Sequence, residues 1–95
     1  MPKPIITSSV PIAERFDPMP AGEAEPVYLD LAEIEALRLI ELEKLSFEEA
    51  GVKMRVSRNT VWRVIENARE KLARALVENR GILIVKEETL PNQQK

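Results

Sequence analysis

The pattern of apolar and polar positions divides the chain into an irregular first quarter and three amphipathic runs. The clearest run is the last. Val61, Val64, Ile65, Ala68, Leu72 and Ala75 recur at three- and four-residue spacing and predict one apolar stripe on a helix over 58–79. Arg58, Asn59, Trp62, Arg63 and Glu66 fall on the opposite, outward side. Two shorter helices precede it, over 31–44 and 47–54. Each helix has its own start signal. Asp30 with Glu33, and Ser46 with Glu49, are capping boxes, with Leu29 and Ile34 placed as a staple for the first. Ser57 caps the third. Gly81 is suited to a left-handed cap at its end.

Val27-Tyr28-Leu29 reads as a brief strand, and Ile82–Val85 as a short buried one. Six of the seven prolines lie within residues 1–26, which are therefore expected to be an extended arm. Its apolar patches, Ile5-Ile6 and Val10-Pro11-Ile12, are candidates for an added strand. Residues 27–88 form the domain, and the polar tail 89–95 is expected to be disordered. The fold class expected is mainly α: three helices with a long third, an extended arm and a short C-terminal strand.

Helix one is apolar almost all round. Leu31, Ile34, Leu37 and Ile40 point one way, and Ala32, Ala36 and Leu39 another. The third helix also outruns a three-helix core, with Leu76 and Val77 off its stripe. Both features suggest a homodimer. The alternative is that the arm and the 82–85 strand cover these faces within one chain.

Composition narrows the chemistry. Ninety-five residues make a single small domain, and the longest apolar run, Ile82–Val85, is too short to span a bilayer. Nothing resembles a signal peptide, so a cytoplasmic protein is expected. With no cysteine there is no disulfide, thiolate or zinc–sulfur chemistry, and with no histidine the commonest general base and metal ligand are missing. No phosphate loop or converging pair of carboxylates can be placed. No enzyme, metal or cofactor is expected. The net charge of −2 hides two unlike halves. Residues 30–49 hold seven acids against Arg38 and Lys44, and residues 53–74 hold seven bases against Glu66 and Glu70.

The stretch from 45 to 65 meets the demands of a helix-turn-helix. Gly51 is the small residue where two helices touch, Met54 closes the first helix, Val56 opens the second, and Ala50, Val61 and Val64 face the core. The turn position after Met54 requires positive φ, and Arg55 occupies it at a cost of roughly 1–2 kcal/mol. In such a motif Arg58 and Asn59 stand in the first turn of the reading helix, where arginine suits guanine and asparagine suits adenine. Arg58 is otherwise a solvated charge or a phosphate contact. Ser57 offers a phosphate contact beside its capping role, and Thr60 is structural or a phosphate contact. Lys53, Arg55 and Arg63 suit phosphates. Trp62 is open between thymine methyl groups or sugars, the arm, and a partner chain. Arg69, Lys71 and Arg74 are expected to pair with Glu66, Glu70 and Glu78.

Residues 45–73 resemble region four of the primary sigma factors, a promoter-reading helix-turn-helix. Residues 30–84 are similar to domain-of-unknown-function family 134, small predicted DNA-binding proteins of bacteria and archaea. The resemblance is carried by Asp30, Glu33, Glu35, Ala36, Leu37, Arg38 and Leu39; by Leu45, Ser46, Glu48, Glu49 and Ala50; by Val56, Ser57, Arg58 and Thr60; and by Ala75, Leu76 and Val77. The sequence departs from that pattern in Arg55 for a glycine, in Gly51 for a frequent alanine, and in an N-terminal segment with only Lys3 and Arg15 as bases. The resemblance implies a transcriptional regulator bound to double-stranded DNA. The acidic pI favours the alternative, a protein-interaction module in which Trp62 and the acidic helix bind RNA polymerase or another regulator.

Overall fold

The computed structural model describes residues 10–86. Its elements are β1 (Arg15–Phe16), β2 (Val27–Asp30), α1 (Leu31–Leu37), α2 (Phe47–Met54), α3 (Arg58–Glu78) and β3 (Ile82–Val85). The protein is mainly α, with three helices and a small sheet. No described helix is long and apolar enough to cross a membrane. The Ile5-Ile6 patch, Lys3 and the tail from Thr89 lie outside the described residues.

Local capping chemistry sets the helix starts. The Asp30 carboxylate accepts from the Glu33 amide at 2.8 Å, and the Glu33 carboxylate accepts from the Asp30 amide at 3.0 Å. Ser46 and Glu49 repeat the exchange at 3.0 and 2.8 Å. Each pair satisfies two amides that a helix start leaves orphaned.

Helix one departs from the predicted span. After Leu37 it continues into a π-helical turn, Arg38–Leu42, and stops two residues short of the expected end. The wider turn is closed by the Glu43 amide donating to the Arg38 carbonyl at 3.0 Å. The Arg38 guanidinium bridges both ends of this segment, reaching Glu35 at 2.7 Å and also Glu43. Lys44, placed within the helix by its pattern, instead reverses the chain at φ 61.

The core lies between helix one, α2 and α3. Ala36, Leu39, Ala50, Met54, Val61, Ile65 and Ala68 are completely buried there. The predicted stripe of α3 holds, with Val64 and Leu72 half-buried at its margins. The last turn of α3 corrects the sequence reading. Asn79, not Gly81, takes the left-handed cap, at φ 57. Gly81 serves by smallness instead: a Cβ there would lie 3.0 Å from Asp17 Oδ1 and 3.2 Å from the Phe16 carbonyl oxygen.

The strand order is β1-β3-β2, with β3 antiparallel to β1 and parallel to β2. Val27 and Leu29 point inward and are buried, and Tyr28 points out. All four β3 residues are half-buried, less than the sequence reading expected. The arm does add a strand, but at Arg15–Phe16 and not at its Val10–Ile12 patch. It is sewn to the end of α3, because Arg80 donates to the Glu25 carbonyl at 2.7 Å and Asn79 to the Pro20 carbonyl at 3.2 Å.

Helix one is covered mostly within its own chain. Leu31, Ala36, Leu39 and Ile40 are buried, and Ala32, Ile34 and Leu37 half-buried. The large apolar groups left in the open include Leu42, at the end of helix one, and Leu76 and Val77 on α3, all more than three-quarters exposed.

Candidate nucleic-acid interface

The corner between α2 and α3 is built around a close backbone approach. A Cβ on Gly51 would lie 2.7 Å from the Val56 carbonyl oxygen, so no larger residue fits without a shift. The Val56 amide donates back to the Gly51 carbonyl at 3.0 Å. Between them Arg55 takes φ 61 and ψ 42, the left-handed conformation the turn requires. Met54 seals the corner from inside and is fully buried, while the Arg55 side chain is exposed.

Ser57 then starts α3. Its hydroxyl oxygen accepts from the Thr60 amide at 3.1 Å and lies 3.0 Å from the Thr60 hydroxyl. Thr60 is half-buried and directed to this cap. With Ser57 fixed in this way, Arg58 and Asn59 occupy the first turn of α3, both exposed. Trp62 and Arg63 stand one turn further along the same side, Trp62 with 51% of its surface exposed. The arm packs at the other end of α3, against Asn79 and Arg80, so the described arm residues do not cover Trp62.

Charge separates this corner from the rest of the molecule. Six cations elsewhere are engaged by acids of the same chain. Arg15 binds Asp17, Arg38 binds Glu35 and Glu43, Arg69 binds Glu41 and Glu66, Arg74 binds Glu70 and Glu78, and Arg80 binds Glu78. Lys71 completes the set at 2.8 Å from Glu33, which is 7% exposed at its side chain. Lys53, Arg55, Arg58 and Arg63 pair with no acid among the described residues. Lys53 borders an open pocket with Glu35 and Glu43, but Arg38 already holds both carboxylates.

The pairing corrects one expectation and extends another. Lys71 reaches the capping carboxylate of α1 and the Tyr28 carbonyl, at 2.7 Å, in place of its neighbours on α3. Arg69 binds mainly Glu41, at 2.6 Å, and this hydrogen bond holds its guanidinium further toward the charged form. The Arg80 hydrogen bond likewise lowers the Glu78 carboxyl below its ordinary range.

Sequence reasoning passed over Lys44. Like the corner cations it is exposed and pairs with no described acid. The available signal was its place two residues before the Ser46 cap, where the chain must turn. The geometry thus offers an exposed helix start carrying Arg58 and Asn59, flanked by uncompensated positive charge. Such a surface suits a polyanion.

This is a small mainly-α protein with one cationic corner. The chain belongs to the family described as "Protein of unknown function DUF134", whose pattern matches residues 2–92. A UPF0251 protein of Archaeoglobus fulgidus is 46% identical over 82 residues, which cover 86% of this chain and 78% of the relative. UPF0251 proteins of Thermococcus kodakarensis and Halothermothrix orenii are 47% and 43% identical over 74% and 85% of this chain. The matched regions span 58% and 62% of those two relatives. No solved structure matches the chain.

Proposed function

We propose that the protein is a sequence-specific DNA-binding regulator of transcription that acts in the cytoplasm by binding and not by catalysis. In this reading α2, the Arg55 turn and α3 are a helix-turn-helix similar to sigma region four. The Ser57 end of α3 enters the major groove. Arg58 and Asn59 meet base edges, and Ser57, Lys53, Arg55 and Arg63 hold phosphates, with Thr60 supporting the Ser57 cap. The observation that carries the reading is the segregation of charge. Seven acids of residues 30–49 would repel a duplex if they were free. Four of them, Glu33, Glu35, Glu41 and Glu43, are instead neutralised by Arg38, Arg69 and Lys71. Of the six cations that pair with no acid among the described residues, four, Lys53, Arg55, Arg58 and Arg63, are gathered around one helix start, and the other two are Lys44 and Lys86.

Selection of bound sequences from a random DNA pool tests this. Arg58→Ala and Asn59→Ala should each weaken the selected site by about 1–3 kcal/mol and relax its sequence preference. Arg63→Ala should weaken all sequences alike and reduce the salt slope by about 0.9. If both first-turn variants bind the selected site as tightly as wild type, the reading fails.

The active form in this proposal is a homodimer, supported by Leu76 and Val77, which are 83% and 82% exposed in the last turn of a helix that outruns the core. Two reading helices would then require half-sites separated by about 34–36 Å or a multiple. A second reading is favoured by Leu42, Val52 and Trp62, at 76%, 78% and 51% exposure. These apolar groups suit a protein partner such as RNA polymerase or another regulator. No enriched sequence at low salt would support that reading over the first.

A further inference from the structure

Trp62 is the one large apolar side chain on the exposed face that also carries Arg58, Asn59 and Arg63. Half of its surface has no cover, and it is the only tryptophan in the chain. No hydrogen bond to a described residue engages its indole N–H. It lies three residues from Asn59 and four from Arg58, the spacing of neighbours on one helix face. At ~1.5 Å rise per residue it stands ~6 Å along α3 from Arg58, about two base-pair steps of 3.4 Å.

From this placement, and resting on the reading of α3 as the groove-entering helix, we infer that Trp62 recognises thymine through its 5-methyl group. Arg58 and Arg63 share this face and pair with no described acid, and Glu66 on the same side is engaged by Arg69, so an anionic surface suits the face. A face that is anionic overall yet offers an apolar group is the floor of the major groove, where the thymine methyl is the one apolar feature displayed. The ring covers that methyl while Arg58 and Asn59 engage base edges about two steps away. Trp62 is then a specificity residue, because cytosine at the same position offers a polar amino group and no methyl.

The test replaces each thymine of the selected duplex in turn by deoxyuridine. This deletes the methyl and leaves the hydrogen-bonding pattern unchanged. Wild-type protein should bind about fourfold more weakly at one or two positions, the effect of exposing one methyl-sized group. Trp62→Ala should bind the thymine and uracil duplexes equally, and Trp62→Phe should keep part of the difference. The indole emission should change on adding the thymine duplex. Wild-type indifference to uracil at every position overturns the inference, as does a Trp62→Ala variant that keeps the full sensitivity. Emission that changes with protein concentration and not with DNA would assign the indole to a second copy, and also overturns it. The two readings separate cleanly. If no sequence is enriched at all, the DNA reading fails; if a site is enriched and Arg58→Ala impairs it while uracil has no effect, the thymine assignment alone fails.

Discussion

Arg55 holds a conformation that costs an L-residue roughly 1–2 kcal/mol, and its side chain reaches open solvent. A glycine would remove the steric cost but raise the entropy of the unfolded chain. Arg55→Gly should therefore gain a modest net stability of about 1 kcal/mol, read from the denaturant midpoint. In the proposed DNA-binding reading, the same variant should bind DNA more weakly, with a salt slope smaller by about 0.9, because one cation assigned there to a phosphate is lost. Opposite signs in the two measurements would mark a residue kept for charge at the expense of the turn. Four residues earlier the steric demand runs the other way. Gly51→Ala drives a methyl group into the Val56 carbonyl, and the backbone must move. A loss of about 1–3 kcal/mol in urea unfolding is expected.

At the scale of elements, Lys71 ties α3 to the start of α1. Its ammonium meets the Glu33 carboxylate, which is itself half of the Asp30 capping box, and the Tyr28 carbonyl of β2. One side chain thus joins a strand, a cap and a helix. Lys71→Ala leaves Glu33 nearly buried without its countercharge. The cost should be about 2–3 kcal/mol, less than for a fully buried pair because Lys71 itself is partly solvated. Lys71→Met with Glu33→Gln should recover part of it, and a double-mutant cycle by thermal unfolding measures the coupling. This tie also marks where sequence reasoning stopped. The three caps, α2 and the apolar stripe of α3 were legible because each is decided within four or five neighbouring residues. The left-handed Arg55 was legible because the turn geometry allows little else. Lys71 and Glu33 are 38 residues apart, and Arg69 and Glu41 are 28 apart, so their pairing exists only in the folded chain. A two-residue strand such as β1 has no period to detect. The π-turn was hidden for a different reason. Leu39 and Ile40 are apolar in a helical rhythm whether the turn closes over four residues or five, and the clamp of Arg38 between Glu35 and Glu43 that accompanies the wider turn exists only in the folded chain.

The whole molecule is polarised along α3, which at 21 residues runs about 32 Å. Its start carries Arg58 and Arg63, which pair with no described acid, and its end carries exposed Leu76 and Val77 beside the arm. This arrangement separates a proposed reading end from a proposed pairing end. Leu76→Glu with Val77→Glu should halve the mass seen by sedimentation at micromolar concentration. It should also weaken a two-half-site duplex far more than a single half-site, since the linked second contact is lost. A monomeric wild type under the same conditions would remove the dimer from the proposal. The sheet at this pairing end has an assembly order built into it. β3 is the last described element along the chain and yet the central strand, lying between β1 and β2. Neither earlier strand has any described partner until residues 82–85 have been synthesised. On a ribosome the helices can form as they emerge, but the arm and the base of α1 must wait for the final strand to be inserted between them. Closing such non-local pairings is slow, so a chain stalled before Ile82 presents two unmatched strand edges.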